Sequence, residues 1–482
     1  MIFTSRRLVS ALIVTSSFFL TTDIRRVSAF AAPPTPKFMA KSQATTPLTV
    51  KQSNPTALNS SSMDTRGSNA SNAAAVAKTV PAKKMRITAF DSMRFVLCVM
   101  IVFGHFIMFA NPPAFWLKFF SQHNTVPVSA FFLLSGYVAA YTTTENGKRE
   151  PSPKLVNTPK PEWILSRVFG YYPLHLLTLL LFSPMFIYTS LKYNGAWTTA
   201  LHGFLSATLT QAWFPMTAEV WNAPTWYLSA LTFATAIMPY ALPVLAKQNK
   251  SELRHTAFWL WLVSLLPKIG YCFDLNVWTM PEGITPPKLH PNMAIFNTQR
   301  FSPLLQVSEI LLGAAACRLV MLDDADDKVK TPKVNFSSTL TPLASILAVM
   351  TLRASGVLQA NDLLMRTAVV VPLVLRLFMG VHRSAVQGAK DPLTALLSNK
   401  VLVWLGNLAF PIYIVHGPIG QVFYKKLIAT ALWGKVLKGP QYFALYLGTT
   451  ALAAFLVQKL FLQNKAVGQA SKNAVGKLAS WM

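Results

Sequence analysis

Residues 95–110 read FVLCVMIVFGHFIMFA, an apolar block whose one basic side chain is the imidazole of His105. A helix needs about 20 predominantly apolar residues to cross a bilayer. Further blocks of this kind lie at 126–143, 168–189, 224–245, 256–273, 303–321, 337–353, 363–381, 401–424 and 441–462. If the weaker, more polar block at 200–214 does not cross, most basic loops fall on one side of the membrane, as the positive-inside rule requires. The sequence therefore predicts an all-α, multi-pass membrane helical bundle of about ten transmembrane helices.

The composition agrees with a membrane protein. Of the 482 residues, 52% are hydrophobic and 13% are charged, whereas soluble domains carry about a quarter charged residues. The net charge of +27 fits basic loops beside membrane spans better than nucleic-acid binding, because no basic-aromatic module accompanies it. The three cysteines lie far apart in apolar stretches, so we predict neither a disulfide framework nor a metal site.

The N-terminal segment has the pattern of an address signal. Residues 1–29 resemble a signal peptide, with Arg6 and Arg7 before an apolar stretch at 8–20 and small residues before Phe30. Residues 30–86 are rich in Ser, Thr, Ala and Pro and poor in acids, a composition that is typical of a disordered transit peptide. The chain ends in a basic tail, 466–482.

The order of these N-terminal features resembles the bipartite presequence of plastid proteins in diatoms and other algae with complex plastids. In such presequences an aromatic residue, here Phe30, begins the transit part. The resemblance implies a multi-pass protein of a plastid membrane. The alternative is a protein of the endoplasmic reticulum or another secretory-pathway membrane with a disordered N-terminal segment.

The first span contains charged and imidazole side chains, which are costly in a membrane and are therefore functional candidates. Arg94 and His105 are eleven residues apart, so they share a helix face at a separation of roughly 16 Å along the axis, and Asp91 lies close to the same face. This arrangement suits a substrate with an anionic head and a reactive far end, such as acyl-CoA. His105 could then act as general base on an acceptor hydroxyl. Alternatively, Arg94 snorkels to the membrane edge and His105 bonds a neighbouring helix.

Asp91-x-x-Arg94 followed by His105 resembles the first-helix signature of the membrane-bound acyltransferase-3 family, which includes bacterial O-acetylases of surface sugars. Further phrases follow in the family's order, so that the likeness covers about residues 87–465. They are Phe131-Phe-Leu-Leu-Ser135-Gly136-Tyr137, Arg167-Val-Phe-Gly-Tyr-Tyr172-Pro173, Asn222-Ala-Pro-Thr-Trp226-Tyr-Leu-Ser229, Glu309-Ile-Leu-Leu-Gly313 and Leu405-Gly406-Asn-Leu-Ala-Phe-Pro-Ile-Tyr413-Ile-Val-His416.

The resemblance implies transfer of an acyl group from acyl-CoA, a co-substrate, to a hydroxyl, with no permanently bound cofactor. It makes His105, Arg94 and Asp91 catalytic candidates. Candidates for binding the donor are Arg94, Arg167, Ser135 and Tyr172, and candidates for binding the acceptor are Trp226, Ser229, Glu309, Tyr413 and His416.

Structural roles for these residues stay open. Arg167 could anchor the topology, and Ser135 beside Gly136 could serve helix packing. Trp226 could belong to an interfacial aromatic belt. Glu309 could pair with Arg300 or another basic group, and His416 could be a helix contact.

Two positions depart from the family's pattern. Gly170 stands where a second arginine is common, and Leu231 stands where a glutamate is frequent. Leu231 suggests a less polar acceptor, for which a xanthophyll of the plastid is our first expectation, ahead of a glycolipid or a sugar. A multi-pass transporter and a non-catalytic assembly protein of the plastid membrane remain alternatives.

Overall fold

The apolar blocks form helices. The computed structural model describes residues 84–323, 337–388, 391–424 and 437–482, with residues 430, 432, 434 and 435. The predicted signal peptide and nearly all of the transit segment lie outside the described residues. Helices of seven or more residues are α1 (Ala89–Phe106), α2 (Ala114–Ser121), α3 (Thr125–Thr143), α4 (Lys160–Val168), α5 (Tyr172–Ala207), α6 (Trp226–Lys247), α7 (Lys250–Leu275), α8 (Met293–Phe301), α9 (Pro303–Asp323), α10 (Ser337–Ala354), α11 (Val371–Val386), α12 (Lys400–Gly406), α13 (Ala409–Tyr424), α14 (Pro440–Val457) and α15 (Lys465–Ala479).

Within the described residues, eight segments are long and apolar enough to cross a membrane, and α12 with α13 give a ninth that is bent by 52°. Nine of the predicted blocks coincide with these segments. The remaining block, 337–353, forms α10, whose first turns are polar with Ser337, Ser338 and Thr339. In the part of the chain that the structure describes no strand forms, so the predicted all-α multi-pass bundle is confirmed.

Helix α5 contains a reversal of the chain. Its 36 residues would extend ~54 Å as a straight helix, well beyond the ~30 Å of a hydrocarbon core. The helix breaks at Gly195, where φ is +75° and ψ is 173°, a conformation that glycine adopts without steric cost. Beyond the break, the Thr199 hydroxyl donates to Ser190 over 3.0 Å, so the second arm turns back on the first. The weak block at 200–214 begins in this returning arm.

The helices α3 and α9 form the centre of the bundle. Their backbones touch, because Gly136 of α3 lies against the carbonyl of Ile310 and Gly313 of α9 lies against the carbonyl of Leu133. Helix α9 also packs against α6 and α7. The span that contains α9 is 72% buried within the protein, compared with 17% for Pro440–Leu462, which lies at the periphery.

The bent pair α12 and α13 packs around α1. Gly406, at the end of α12, lies directly against the backbone of Asp91, and Gly420 of α13 lies against the ring of Phe106. These close approaches place α12 against the start of α1 and α13 against its end. The side chains of α13 are thereby placed next to the face of α1 that carries the predicted polar residues.

The predicted basic tail forms α15. Asn464 caps its first turn by accepting a hydrogen bond from the backbone N–H of Ala466 over 2.9 Å. Helix α15 packs against α4, and its Val475 is buried, whereas Lys465, Lys472 and Lys477 are exposed.

Candidate active site

Two histidines from different helices meet at the centre of the candidate site. Nδ1 of His105, in the last turn of α1, lies 3.1 Å from Nε2 of His416 in α13. The rings are stacked, with centroids 5.3 Å apart and an interplanar angle of 17°. His105 is 7% exposed and His416 is fully buried. The two histidines that the sequence placed 311 residues apart therefore form one pair.

The hydrogen bonds of this pair define its tautomers. Nδ1 of His416 lies 2.6 Å from the backbone carbonyl of Tyr413. A carbonyl only accepts, so Nδ1 carries the hydrogen and Nε2 of the neutral ring is an acceptor. The Nδ1–H of His105 then donates to His416, and Nε2 of His105 carries the lone pair. In this arrangement His105 can take a proton from a bound hydroxyl.

The phrase Asn222-Ala-Pro-Thr-Trp226-Tyr-Leu-Ser229, here called the tryptophan motif, is bound to α13, the helix that carries His416. The Tyr413 hydroxyl donates to the carbonyl of Pro224, the Asn222 side-chain amide donates to the carbonyl of Ile414 over 3.1 Å, and Gln421 donates to the carbonyl of Trp221 over 2.7 Å. These bonds seat residues 221–225 on α13, so the start of α6 is positioned by the helix that carries His416.

Trp226 and Ser229 follow on α6. The Trp226 ring packs edge-on against Phe301, with centroids 4.8 Å apart. Its indole Nε1 is buried and has no hydrogen-bond partner among the described residues, so it is a donor that a bound hydroxyl could use. The Ser229 hydroxyl instead accepts from the backbone N–H of Ala212 over 3.3 Å, and thus joins α6 to the preceding loop.

At the other end of α1, Asp91 binds two arginines. Its carboxylate accepts a hydrogen bond of 2.8 Å from Arg94 and also pairs with Arg86. Arg94 is buried, whereas half of the Arg86 side chain is exposed. Asp91 therefore orients Arg94 rather than lying beside the histidine pair.

Tyr227 of α6 makes a polar contact with α3. Its hydroxyl lies 3.0 Å from the Ser135 hydroxyl, and Tyr227 follows by three residues Pro224, whose carbonyl accepts from the Tyr413 hydroxyl. Because Tyr413 is one turn from His416 on α13, a line of polar groups leads from Ser135 through Tyr227 and Tyr413 to the histidine pair. The long polar face that was predicted on α1 is completed by side chains from α6 and α13.

The remaining donor-site candidates lie near α4 and α5. The guanidinium of Arg167 lies over the Trp163 ring, 4.1 Å from its centroid. Burial lowers the pKa of Arg167 to about 10, so the group stays protonated at neutral pH. The Tyr172 hydroxyl donates to the carbonyl of Ala207 over 3.0 Å and ties the two arms of α5 together.

Glu309 lies in a buried ionic cluster. Its carboxylate accepts hydrogen bonds from Arg366 over 2.8 Å and from Ser129 over 2.6 Å, and Lys268 lies 4.0 Å away. Glu309 thus pairs with another basic group, as the structural alternative allowed, but not with Arg300, which pairs with Glu219 over 3.2 Å. Glu309 therefore links α9 to α7 and to the segment just before α11 through ion pairs, and to α3 through a hydrogen bond.

Several residues of these contacts were missed by the sequence analysis. Lys268 and Arg366 lie in predicted spans, and the same rule that singled out the charges of α1 could have found them. Tyr227 follows Trp226 in a quoted phrase. Glu219 and Arg300 are 81 residues apart, and no spacing signal connects them.

Comparison with known protein families identifies the domain. A family model described as an acyltransferase domain, that of the acyltransferase-3 family, matches residues 87–458, which is 372 of the 482 residues. No curated protein and no solved structure matches the chain. The matched range contains α1 to α14 and all candidate site residues. The chain therefore belongs to the acyltransferase-3 family and is a membrane acyltransferase.

Proposed function

We propose that this protein transfers an acyl group, with acetyl as the first expectation, from acyl-CoA to a hydroxyl of a lipophilic plastid acceptor such as a xanthophyll. The observation that carries the proposal is the pair His105–His416, whose hydrogen bonds leave a lone pair on Nε2 of His105. Membership of an acyltransferase family argues against the transporter and the assembly protein that the sequence left open.

In the proposed reaction, Nε2 of His105 takes the proton of the acceptor hydroxyl as its oxygen attacks the thioester carbonyl carbon. The C–O bond forms and the carbonyl electrons move to oxygen, which gives a tetrahedral intermediate. When the intermediate collapses, the C–S bond breaks and the CoA sulfur takes the proton from His105. His416 keeps the ring of His105 oriented by accepting from Nδ1–H.

The donor would lie along the face of α1 between Arg94 and the histidine pair. Arg94 is fixed by Asp91, and Arg167 is a protonated guanidinium just before α5. Guanidinium groups bind phosphates through paired hydrogen bonds, so the two arginines are suited to the nucleotide end of CoA. Ser135 and Tyr227 would line the path of the acyl arm.

The acceptor would enter from the bilayer. The histidine pair lies in membrane-spanning helices, and Leu231, where the family often has an acid, is buried in α6. An acceptor that moves from lipid to such a site gains little from apolar burial, because it does not leave water. The fit of its hydroxyl between His105 and the indole N–H of Trp226 would then decide selectivity.

The test is an assay of purified protein with radiolabelled acetyl-CoA, offered either a xanthophyll with a free hydroxyl or a glycolipid. We expect ester formation on the xanthophyll, and a decrease of about 10²–10⁴-fold in His105→Ala. His255→Ala, which changes a histidine outside the site, is the control. Label on the glycolipid and not on the xanthophyll would refute the proposed acceptor, but not the acyl transfer. Near-normal activity of His105→Ala would refute the assignment of His105 as the general base.

A further inference from the structure

Two side-chain amides beside the histidine pair have an oxygen that the proposed reaction does not use. They belong to Asn222, in the tryptophan motif, and to Gln421 of α13. Asn222 is fully buried and Gln421 is 6% exposed. In both amides the oxygen is buried and has no hydrogen-bond partner among the described residues. A buried acceptor without a donor costs free energy, so these oxygens are places where a donor is expected to bind.

The orientation of the Asn222 amide follows from a proline in α13. Pro418 has no backbone N–H, so the carbonyl of Ile414 lacks the donor that the helix would otherwise supply. The Asn222 side-chain nitrogen donates to that carbonyl over 3.1 Å. A carbonyl only accepts, so the oxygen is the other end of the amide. Gly417 leaves room for it, since a Cβ there would lie 3.1 Å from this oxygen.

The Gln421 amide is oriented in the same way. Its nitrogen donates to the backbone carbonyl of Trp221 over 2.7 Å, which leaves the oxygen as the end without a partner. Gly417 and Gln421 are four residues apart, so they lie on one face of α13. Both amides therefore lie on the face of α13 that contacts the tryptophan motif.

This part of α13 lies at the end of the site that is far from Arg94. Helix α13 runs in the same direction as α1, because α12, which precedes it, lies against Asp91, and Gly420 lies against the ring of Phe106. Gln421 follows Gly420, so it lies near the end of α1 that carries the histidine.

The Asn222 amide is also next to the histidine pair. Its oxygen lies against Gly417, which follows His416 in the chain, and the ring of His416 lies 3.1 Å from that of His105. If the nucleotide end of the donor binds at Arg94, the substrate within reach of both amide oxygens is the acceptor.

We propose that Asn222 and Gln421 determine acceptor specificity: their oxygens accept hydrogen bonds from further hydroxyls that the acceptor carries close to the one that is acylated. An acceptor with one isolated hydroxyl leaves both oxygens without a donor and is a poor substrate. This inference rests on the proposed function and adds to it a feature that the acceptor must have.

The test measures kcat/KM for two xanthophylls in the acetyl-CoA assay. One xanthophyll carries a single hydroxyl on its terminal ring, and the other carries a second hydroxyl on the same ring. We expect the wild type to prefer the second compound on the order of 10- to 100-fold, the size of the effect when a buried acceptor loses its donor. Gln421→Met keeps the length of the side chain and should lower this ratio about tenfold. Gln458→Met, the same change at a half-buried glutamine after α14, is the control and should keep the wild-type ratio.

Asn222 requires a compensating change, because its amide also binds the Ile414 carbonyl. Asn222→Leu is therefore combined with Pro418→Ala, which returns a helical N–H to that carbonyl. The ratio should fall in this double variant and stay at the wild-type value in Pro418→Ala alone. An equal fall in both would refute the role of Asn222.

The proposal is overturned if the wild type has no preference between the two xanthophylls. It is also overturned if Gln421→Met and the double variant slow both compounds equally, as expected of residues that only hold α13 in place or bind water.

A second readout does not require turnover. A bound ligand raises Tm of the detergent-solubilised protein, so the compound with two hydroxyls on its ring should raise Tm more than the compound with one, and this difference should disappear in Gln421→Met. Equal shifts in the wild type would refute the inference. A difference between the shifts without acetyl transfer to either compound would refute only the proposed reaction.

Discussion

At the scale of single residues, the site depends on partners that lie far apart in the chain. The spacing of Arg94 from His105 predicts a shared helix face, and the structure shows why a guanidinium can be kept there, since Asp91 pairs with it one turn earlier. A buried arginine without a carboxylate would be costly in a membrane. The pair therefore keeps a cation on the face of α1 that leads to the histidines.

This arrangement predicts how Arg94 affects donor use. If Arg94 binds the nucleotide end of CoA, Arg94→Ala should raise KM for acetyl-CoA on the order of 10- to 100-fold, because charge-assisted hydrogen bonds to phosphate are lost. KM for a short acetyl thioester without the nucleotide should stay unchanged. The measurement is steady-state kinetics with both donors on Arg94→Ala and on Arg94→Lys, which retains the charge.

Arg376→Ala is the matched control, because Arg376 is an exposed arginine of α11. If KM rises equally for both donors in Arg94→Ala, Arg94 stabilises the helix and does not bind phosphate. A KM for acetyl-CoA that partly recovers in Arg94→Lys, with no change for the short thioester, would support a role for the charge.

Residue spacing predicted only part of this site. The shared face of Arg94 and His105 follows from the helical repeat, and the place of His416 near the end of a later span was visible in its motif. The contact between the two histidines depends on how α13 packs on α1, and no local sequence pattern predicts that packing. The same holds for Glu219 and Arg300, whose pairing requires a loop and a helix that are distant in the chain to meet.

At the scale of elements, glycines set the distance between helices. Gly136 and Gly313 bring the backbones of α3 and α9 into contact, and small residues allow such approaches in membrane bundles. Ser135 precedes one of these glycines and its hydroxyl meets Tyr227. Helix packing and a polar contact with the site were alternative roles for this phrase. Gly136 makes the packing contact and Ser135 makes the polar contact, so neighbouring residues fill both roles.

This contact predicts a loss of stability on enlargement. Gly136→Leu should force α3 and α9 apart, because a side chain there meets the Ile310 carbonyl, and overpacking of this kind costs about 1–3 kcal/mol. We expect a decrease of a few degrees in Tm of the detergent-solubilised protein. Gly448→Leu, at a helical glycine of α14 that faces open space, should leave Tm unchanged. Equal Tm values for the two variants would contradict the close contact.

At the scale of elements the sequence predicted where the membrane spans lie, but it did not predict where the helices bend. Apolar blocks located the spans because a bilayer demands a minimum length of apolar residues. The reversal at Gly195 and the 52° bend between α12 and α13 depend on backbone geometry at one or two residues. Apolar content does not encode such geometry.

At the scale of the whole molecule, the chain joins an acyltransferase domain to an N-terminal segment of different character. The family match begins at residue 87, and residues 1–86 contain 12 basic and 2 acidic side chains. Residues 1–83 lie outside the described part of the chain, so the role of this segment rests on composition and order. A domain that supplies its own membrane helices has no need of this segment for anchoring, which leaves targeting as its expected use.

The expected use is tested with a fusion of residues 1–86 to a fluorescent protein, expressed in an alga with a complex plastid. If the signal part is removed before the transit part is recognised, the intact fusion should enter the plastid. Phe30→Ala should leave it outside, because Phe30 would begin the transit part after cleavage. Phe38→Ala, at an aromatic residue eight positions further along, is the control and should still be imported. Retention of the intact fusion in the endoplasmic reticulum, or its secretion, would refute the plastid address. The acceptor would then have to be sought among hydroxyl compounds of the secretory pathway, while the histidine pair and the acyl-transfer chemistry proposed for it would be unaffected.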